Sequence, residues 1–161
     1  MEKLVNLLKN NNITISSMES CTGGLFASEL TNINGSSDVF KLGLVTYCNK
    51  FKEYFGVSDK TIEKYTVYSN EVSSEMAEAV SNIAESDFGV GITGQLGTKD
   101  LKNNSNKLNT VYISIYDKDE NKYYNYIIEA IGENKFQKKC FVINYIKEKL
   151  YEICKWKINR I

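Results

Sequence analysis

Three consecutive nucleophilic side chains, Ser20, Cys21 and Thr22, stand between a β-branched segment and two glycines. Gly23 and Gly24 let the backbone turn sharply and leave N–H groups exposed where a helix starts. Together with the helix dipole, such donors can stabilise an oxyanion or hold a phosphate. A plain helix cap, followed by close packing of a helix on a sheet, explains the same residues equally well.

A second candidate group consists of Tyr47 and Lys52, which are five residues apart near the end of a predicted strand. A desolvated lysine loses its proton more readily, and a tyrosine can relay that proton. The two residues could therefore act as a base, although an isolated tyrosine or lysine is ordinarily a surface residue. The turn Gly35–Ser36–Ser37 offers two hydroxyls to a phosphate, but such turns are usually only turns.

The chain contains no histidine, which excludes Ser-His-Asp catalysis, Cys-His catalysis and every His-ligated metal site. Hydrolysis of an amide would then need a lysine, a tyrosine or a carboxylate to move the proton. Arg160, near the C-terminal end, is the only arginine. A bound phosphate or carboxylate must therefore be held by lysines, hydroxyls, backbone N–H groups or a partner subunit.

Composition limits the class of protein. The 161 residues suffice for one domain with a real core, and we expect a single domain over residues 1–161. The formal net charge is zero, so no basic field favours nucleic acid. Residues 1–12 do not resemble a signal peptide, and no apolar run approaches the roughly 20 residues of a membrane span. We expect a cytoplasmic protein with reduced thiols that binds neither nucleic acid nor a membrane.

Hydrophobic periodicity predicts alternating helices and strands, followed by a hairpin and a closing helix. Ser58 and either Ser69 or Asn70 are expected to cap helices. The polar segment 98–108 is predicted to be a mobile loop. Helices are predicted at 2–11, 25–30, 58–64, 70–85 and 133–154, and strands at 13–15, 42–47, 88–93, 111–116 and 123–128. This order indicates an α/β fold with a mixed sheet and helices on its faces.

Several of these segments, read in order, resemble the C-terminal domain of CinA proteins, a family that includes the nicotinamide mononucleotide deamidases (the PncC type). The segments run through the first two-thirds of the chain at the spacing of the family. They are residues 18–24 (MESCTGG), 35–37 (GSS), 43–52 (GLVTYCNKFK), 55–57 (FGV), 67–72 (VYSNEV), 76–78 (MAE) and 93–94 (TG).

The resemblance implies a three-layer α/β/α sandwich and hydrolysis of nicotinamide mononucleotide to nicotinic acid mononucleotide and ammonia. It places the nucleophile at Ser20, and the proton relay and base at Tyr47 and Lys52. Neither a metal nor another cofactor is implied, and the expected partners are the nucleotide substrate and further copies of the chain in a homodimer or larger homo-oligomer. The expected substrate-binding residues are Glu19, Cys21, Thr22, Gly23, Gly24, Ser36, Ser37, Thr93 and Gly94.

Two segments depart from the family pattern. Family members usually follow their third strand with Thr-Gly-Ile-Ala-Gly-Pro, whereas residues 93–99 read TGQLGTK. A later Gly-Asp-Arg motif is replaced by GENK at residues 132–135, and Lys135, Lys138 and Lys139 are the candidates for the missing charge. These departures leave an alternative open, in which the domain binds a nucleotide or regulates without turnover. A further alternative makes the Cys21 thiol the reactive group.

Overall fold

The computed structural model describes residues 1–102 and 107–160. Helices and strands alternate through the first half of the chain, and a hairpin and a long helix follow. The elements are α1 (Glu2–Asn10), β1 (Ile15–Glu19), α2 (Leu25–Thr31), α3 (Ser36–Val39), β2 (Phe40–Val45), α4 (Asn49–Tyr54), α5 (Asp59–Tyr65), α6 (Asn70–Ala84), β3 (Phe88–Gly94), β4 (Thr110–Asp117), β5 (Lys122–Glu129) and α7 (Lys135–Ile158). None of the described helices is both long enough and apolar enough to cross a membrane.

The five strands form one mixed sheet in the order β2-β1-β3-β4-β5. Strands β2, β1 and β3 are parallel, so their carboxyl ends meet at one edge of the sheet. Strands β4 and β5 are added in antiparallel orientation and form the predicted hairpin. The register places Glu19 opposite both Val45 of β2 and Ile92 of β3.

Two apolar cores cover the two faces of the sheet. The larger core joins α1, α2, α3 and α7 to one face, and the smaller core lies between the other face and α6. Since Met18 belongs to the α6 core and side chains alternate along a strand, Glu19 points to the opposite face. The predicted three-layer α/β/α sandwich with a mixed sheet is confirmed.

Close contact between α6 and β3 requires glycine in the strand. A Cβ at Gly89 would collide with the backbone oxygen of Ala77, and a Cβ at Gly91 with that of Ser73. The helix backbone therefore lies directly on the strand. The N-terminus of α6 is fixed by Ser69, whose hydroxyl accepts the N–H of Val72, as predicted for one of the two candidate caps.

Some predicted elements differ from the observed ones. Strand β1 was predicted at 13–15 but runs over Ile15–Glu19, because its two serines are buried and Ser16 Oγ pairs with Ser86 Oγ at 2.7 Å. The predicted turn at 35–37 opens the short helix α3 instead. Helix α4 was not predicted, since Lys52 is its one buried residue and it has no apolar stripe.

Burial varies along α7 and within the hairpin. Phe136, in the first turn of α7, is 64% exposed. Tyr112 and Tyr116 of the hairpin are buried, so they offer no surface to a second copy. Of the predicted loop 98–108, residues 103–106 lie outside the described residues.

Candidate active site

The candidate active site lies at the carboxyl ends of the three parallel strands. The Ser20 N–H donates to the Ile92 carbonyl at 2.9 Å, and the Thr46 N–H donates to the Glu19 carbonyl at 2.9 Å. These bonds extend the strand pairing to the turns that follow β1 and β2. The connection from β1 to β2 contains α2 and crosses one face of the sheet. The connection from β2 to β3 contains α6 and crosses the other face. Ligands bind in open α/β sheets at such a switch point.

The Glu19 carboxylate fixes the turn after β1 through hydrogen bonds. Its carboxylate accepts the Thr22 hydroxyl at 2.6 Å and the N–H groups of Gly24, Phe26 and Ala27 at 2.9 to 3.2 Å. The carboxylate therefore caps the N-terminus of α2, where unpaired donors and the helix dipole favour a negative charge. Gly24 has φ 92°, a conformation that suits glycine and that turns the chain into the helix.

Lys52 reaches the same turn from α4. Its side chain is only 1% exposed, and its Nζ donates to the Thr46 carbonyl at 2.7 Å and to the Ser20 hydroxyl at 3.1 Å. Helix α4 begins directly after β2, so one helical turn carries Lys52 back over the strand ends. The structure thus brings together two residues that are 32 positions apart in the sequence.

Burial sets the electrostatics of this pair. Desolvation lowers the pKa of the Lys52 ammonium from 10.5 to about 8, and the nearby thiols of Cys48 and Cys21 oppose the shift only in part. A fraction of the Lys52 side chains is therefore neutral near physiological pH and able to accept a proton. A neutral amine next to a serine hydroxyl is the arrangement of a Ser–Lys nucleophile.

Cys21 and Tyr47 occupy different environments beside the pair. Burial raises the pKa of the Cys21 thiol from 9.0 to about 12, so the thiol stays protonated at neutral pH. Tyr47 lies between β2 and α4 and is 64% exposed at the rim of the site. The structure therefore presents Tyr47 to solvent and to an incoming ligand.

A cavity of about 770 Å³ opens over Ser20 and Lys52. Of the residues expected to bind substrate, Cys21, Thr93 and Gly94 line it. Thr93 also donates its hydroxyl to the Val67 carbonyl at 2.8 Å, which ties β3 to the segment before α6. The other candidates line no part of it: Glu19, Thr22, Gly23 and Gly24 form the turn and its support, and Ser36 and Ser37 begin α3.

Lysines gather around the cavity. Lys99, Lys102 and Lys135 line it together with Lys52, and Asp100 is the carboxylate among the described lining residues. Lys139 approaches from α7, since a Cβ added at Gly23 would lie 3.2 Å from its Nζ. Of the three lysines named as replacements for the family arginine, Lys135 lines the cavity, and Lys139 lies beside the turn that follows β1.

Tyr68 and Gln95 are among the residues of the cavity wall that the sequence analysis did not name. Tyr68 donates its hydroxyl to Asp100 at 2.6 Å and connects the α5–α6 segment to the loop after β3. Gln95, directly after β3, is buried and lines the cavity. Gln95 could have been found in the sequence, because it stands in the segment that departs from the family pattern.

The fold and the site define the class of protein: an α/β/α sandwich with a cleft at the switch point of its parallel strands. The CinA C-terminal domain family matches residues 1–146, and the chain belongs to that family.

Relatives and solved structures agree with this membership. A competence-damage inducible protein of Thermoanaerobacter pseudethanolicus, so named provisionally, is 44% identical over 97 residues, which are 60% of this chain and 24% of that protein. One from Acetivibrio thermocellus is 48% identical over 92 residues, 56% of this chain and 22% of that protein. This chain spans about a quarter of the length of the curated relatives it matches.

The fold is shared with solved CinA superfamily proteins. The Enterobacter cloacae protein has a TM-score of 0.87 at 24% identity and covers 94% of this chain and 88% of its own. The Klebsiella pneumoniae protein has a TM-score of 0.89 at 18% identity, and the match covers 96% of this chain and 94% of that protein chain. At these identities the likeness concerns the fold alone.

Proposed function

We propose that this chain is an amidohydrolase that converts nicotinamide mononucleotide to nicotinic acid mononucleotide and ammonia. The observation that carries the proposal is the buried contact of 3.1 Å between Lys52 Nζ and Ser20 Oγ at the floor of a ligand-sized cavity. Membership of the CinA C-terminal domain family supports the reaction class. The choice of substrate rests on the family resemblance.

The first half of the reaction acylates Ser20. The neutral Lys52 amine takes the proton of the Ser20 hydroxyl while Ser20 Oγ attacks the carboxamide carbon, which gives a tetrahedral oxyanion. We assign the N–H groups of Cys21 and Thr22 to that oxyanion, since neither donates to a backbone carbonyl within the described residues. The Lys52 ammonium then returns the proton to the leaving nitrogen, and ammonia departs.

The second half releases the acid. A water molecule gives a proton to Lys52 and attacks the ester carbonyl, and Ser20 Oγ leaves with the proton held on Lys52. Tyr47, at the rim of the cavity, is assigned the relay of protons between Lys52 and the departing or entering molecule. Every proton that is moved thus passes through side chains of this chain.

The phosphate of the nucleotide is assigned to the lysines of the cavity wall. Lys99, Lys102 and Lys135 surround the opening, where Asp100 is already bonded to Tyr68. A lysine is a compact point charge that can hold phosphate without the fork geometry of arginine. The absence of an arginine from residues 132–135 is therefore compatible with nucleotide binding.

We assign the active form to a cytoplasmic homodimer or larger homo-oligomer. Tyr112 and Tyr116 of the hairpin are buried, and the edge of the sheet at β2 offers an apolar surface. Val45, Phe51 and Tyr54, with Tyr47 beside them, are each at least half exposed on β2 and α4. An edge strand with apolar neighbours is suited to cover by another copy of the chain.

The replaced segments at 93–99 and 132–135 favour one alternative, a CinA-like module that binds a nucleotide without turnover. The two functions are separated by incubating the purified protein with nicotinamide mononucleotide and measuring both ammonia and nicotinic acid mononucleotide. We expect equal molar release of the two products over many turnovers. Binding measured by calorimetry without any product on long incubation would instead establish the binding module. The absence of both binding and product would rule out nicotinamide mononucleotide as the substrate.

A further inference from the structure

Among the buried polar side chains of the described residues, Gln95 alone has two atoms without a hydrogen-bond partner and also lines the cavity. Six buried side-chain atoms there have no hydrogen-bond partner, and both the Nε2 and the Oε1 of Gln95 are among them. The other four atoms belong one each to Ser17, Thr46, Asn70 and Ser114, none of which lines the cavity. Gln95 is 4% exposed, and it does line the cavity.

The backbone around Gln95 is fixed by the sheet. The Gln95 N–H donates to the Thr110 carbonyl at 3.2 Å, which continues the β3–β4 ladder by one residue. Leu96 packs into the larger core on the α7 face. Gln95 therefore lies on the face of Ser20, which follows Met18 by two positions and shares its side of the sheet.

A buried amide without partners destabilises a protein, and such groups in native structures call for a specific explanation. The amide of glutamine presents one acceptor beside one donor. A primary carboxamide presents the same two groups, so the two amides can pair through two antiparallel hydrogen bonds. A carboxylate presents acceptors alone and cannot form that pair.

We propose that Gln95 binds the scissile carboxamide and so determines specificity for amide over acid. Its Nε2 donates to the carboxamide oxygen, and its Oε1 accepts one carboxamide N–H. This inference rests on the proposed function. After hydrolysis, a carboxylate oxygen faces Gln95 Oε1, and the repulsion between the two acceptors promotes product release.

The inference is tested with Ser20→Ala protein, which keeps the amide intact during a binding measurement. Calorimetry gives the dissociation constants of nicotinamide mononucleotide and nicotinic acid mononucleotide, and the readout is the ratio of the acid value to the amide value. In the Ser20→Ala background, Gln95→Met removes both amide atoms but keeps a side chain of similar length. We expect it to lower the ratio about tenfold. The matched control is Gln137→Met, which removes the exposed glutamine at the start of α7.

A second variant keeps the test decisive if Gln95→Met does not fold. Gln95→Glu replaces the donor with another acceptor and adds a negative charge. The amide then loses one hydrogen bond, whereas the acid meets a like charge, so the acid is weakened more and the ratio rises. A purely structural role would not move the two variants in opposite directions.

Each remaining outcome counts against the inference. An unchanged ratio in folded Gln95→Met or Gln95→Glu protein, while the parent still releases ammonia, overturns the inference alone. No binding of either nucleotide and no ammonia from the parent overturn the inference and the proposed substrate together.

Discussion

Lys52 is the residue on which the proposed chemistry depends. Burying a charged amine is unfavourable unless partners compensate, and here the partners are one carbonyl and one hydroxyl. The depressed pKa follows directly, because the neutral form avoids the cost of desolvation. The same burial that disfavours the ammonium makes Lys52 a competent base near neutral pH.

The pH dependence of the reaction should report this residue. With a pKa of about 8, Lys52 is mostly protonated at pH 7 and gains base activity as the pH rises. We expect kcat/KM for nicotinamide mononucleotide to increase about tenfold per pH unit up to about pH 8 and then to level off. Initial ammonia release between about pH 6 and about pH 9.5 measures the profile. A rate that is flat or falls through this range would exclude Lys52 as the base.

The sequence predicts Ser20 as nucleophile and Lys52 as base. The structure places the two side chains in contact, and their roles stay predictions. Glu19 was expected to touch substrate, yet its carboxylate is occupied by the turn and by α2. Gln95 stands in a segment that departs from the family pattern, but its burial could not be predicted, because it results from contacts between strands distant in sequence.

At the scale of elements, the start of α2 depends on Glu19. The variant Glu19→Gln keeps the shape but removes the charge that faces the helix N-terminus and turns one acceptor into a donor. We expect the free energy of unfolding to fall by about 1–3 kcal/mol, as measured by urea denaturation. Glu29→Gln, on the exposed side of the same helix, should change it by less than about 0.5 kcal/mol. Equal effects of the two variants would contradict the capping role.

Under the proposed function, Lys135 at the start of helix α7 takes the place of the family arginine. Lys135 lies in its first turn and lines the cavity, whereas Lys155 lies exposed in its last turn. We expect Lys135→Ala to raise KM for the nucleotide about tenfold with little change in kcat, because phosphate binding is lost without loss of the base. Steady-state kinetics with Lys155→Ala as the control test this. A fall in kcat at constant KM would contradict the assignment.

Prediction failed where elements are short or lack periodicity. Helix α4 has a single buried residue, a lysine, so its sequence contains no apolar stripe that would indicate a helix. Helix α3 has four residues and follows a glycine with φ 86°, and such a short segment after a glycine is typical of a turn. Long periodic elements such as α6 were predicted closely, because their apolar spacing and caps agree with their packing.

At the scale of the whole molecule, the order of strands and helices predicted a mixed sheet with helices on its faces, and the family resemblance implied the three-layer α/β/α sandwich. Both predictions are confirmed. The parallel or antiparallel orientation of each strand follows from connection length: the hairpin is tight, while the crossovers carry helices. The position of the site at the carboxyl edge then follows from the fold.

The proposed homo-oligomer uses the apolar surface beside β2. Sedimentation equilibrium should give the mass of a dimer or a larger assembly. Phe51→Glu and Tyr54→Glu should weaken the assembly, because they place charge on the apolar surface beside β2. Ile83→Glu, on exposed α6 surface, serves as the control. A monomer at about 100 μM chain would contradict the homo-oligomer.

The central claim is that Ser20 is the nucleophile, and its most direct test compares ammonia release from nicotinamide mononucleotide by parent, Ser20→Ala and Cys21→Ser proteins. We predict that Ser20→Ala loses activity by about a thousandfold or more, since the attacking oxygen is gone. Cys21→Ser should stay within a few-fold of the parent, because the buried thiol is protonated and takes no part in the reaction. Ammonia release by folded Ser20→Ala at the parent rate would contradict the account.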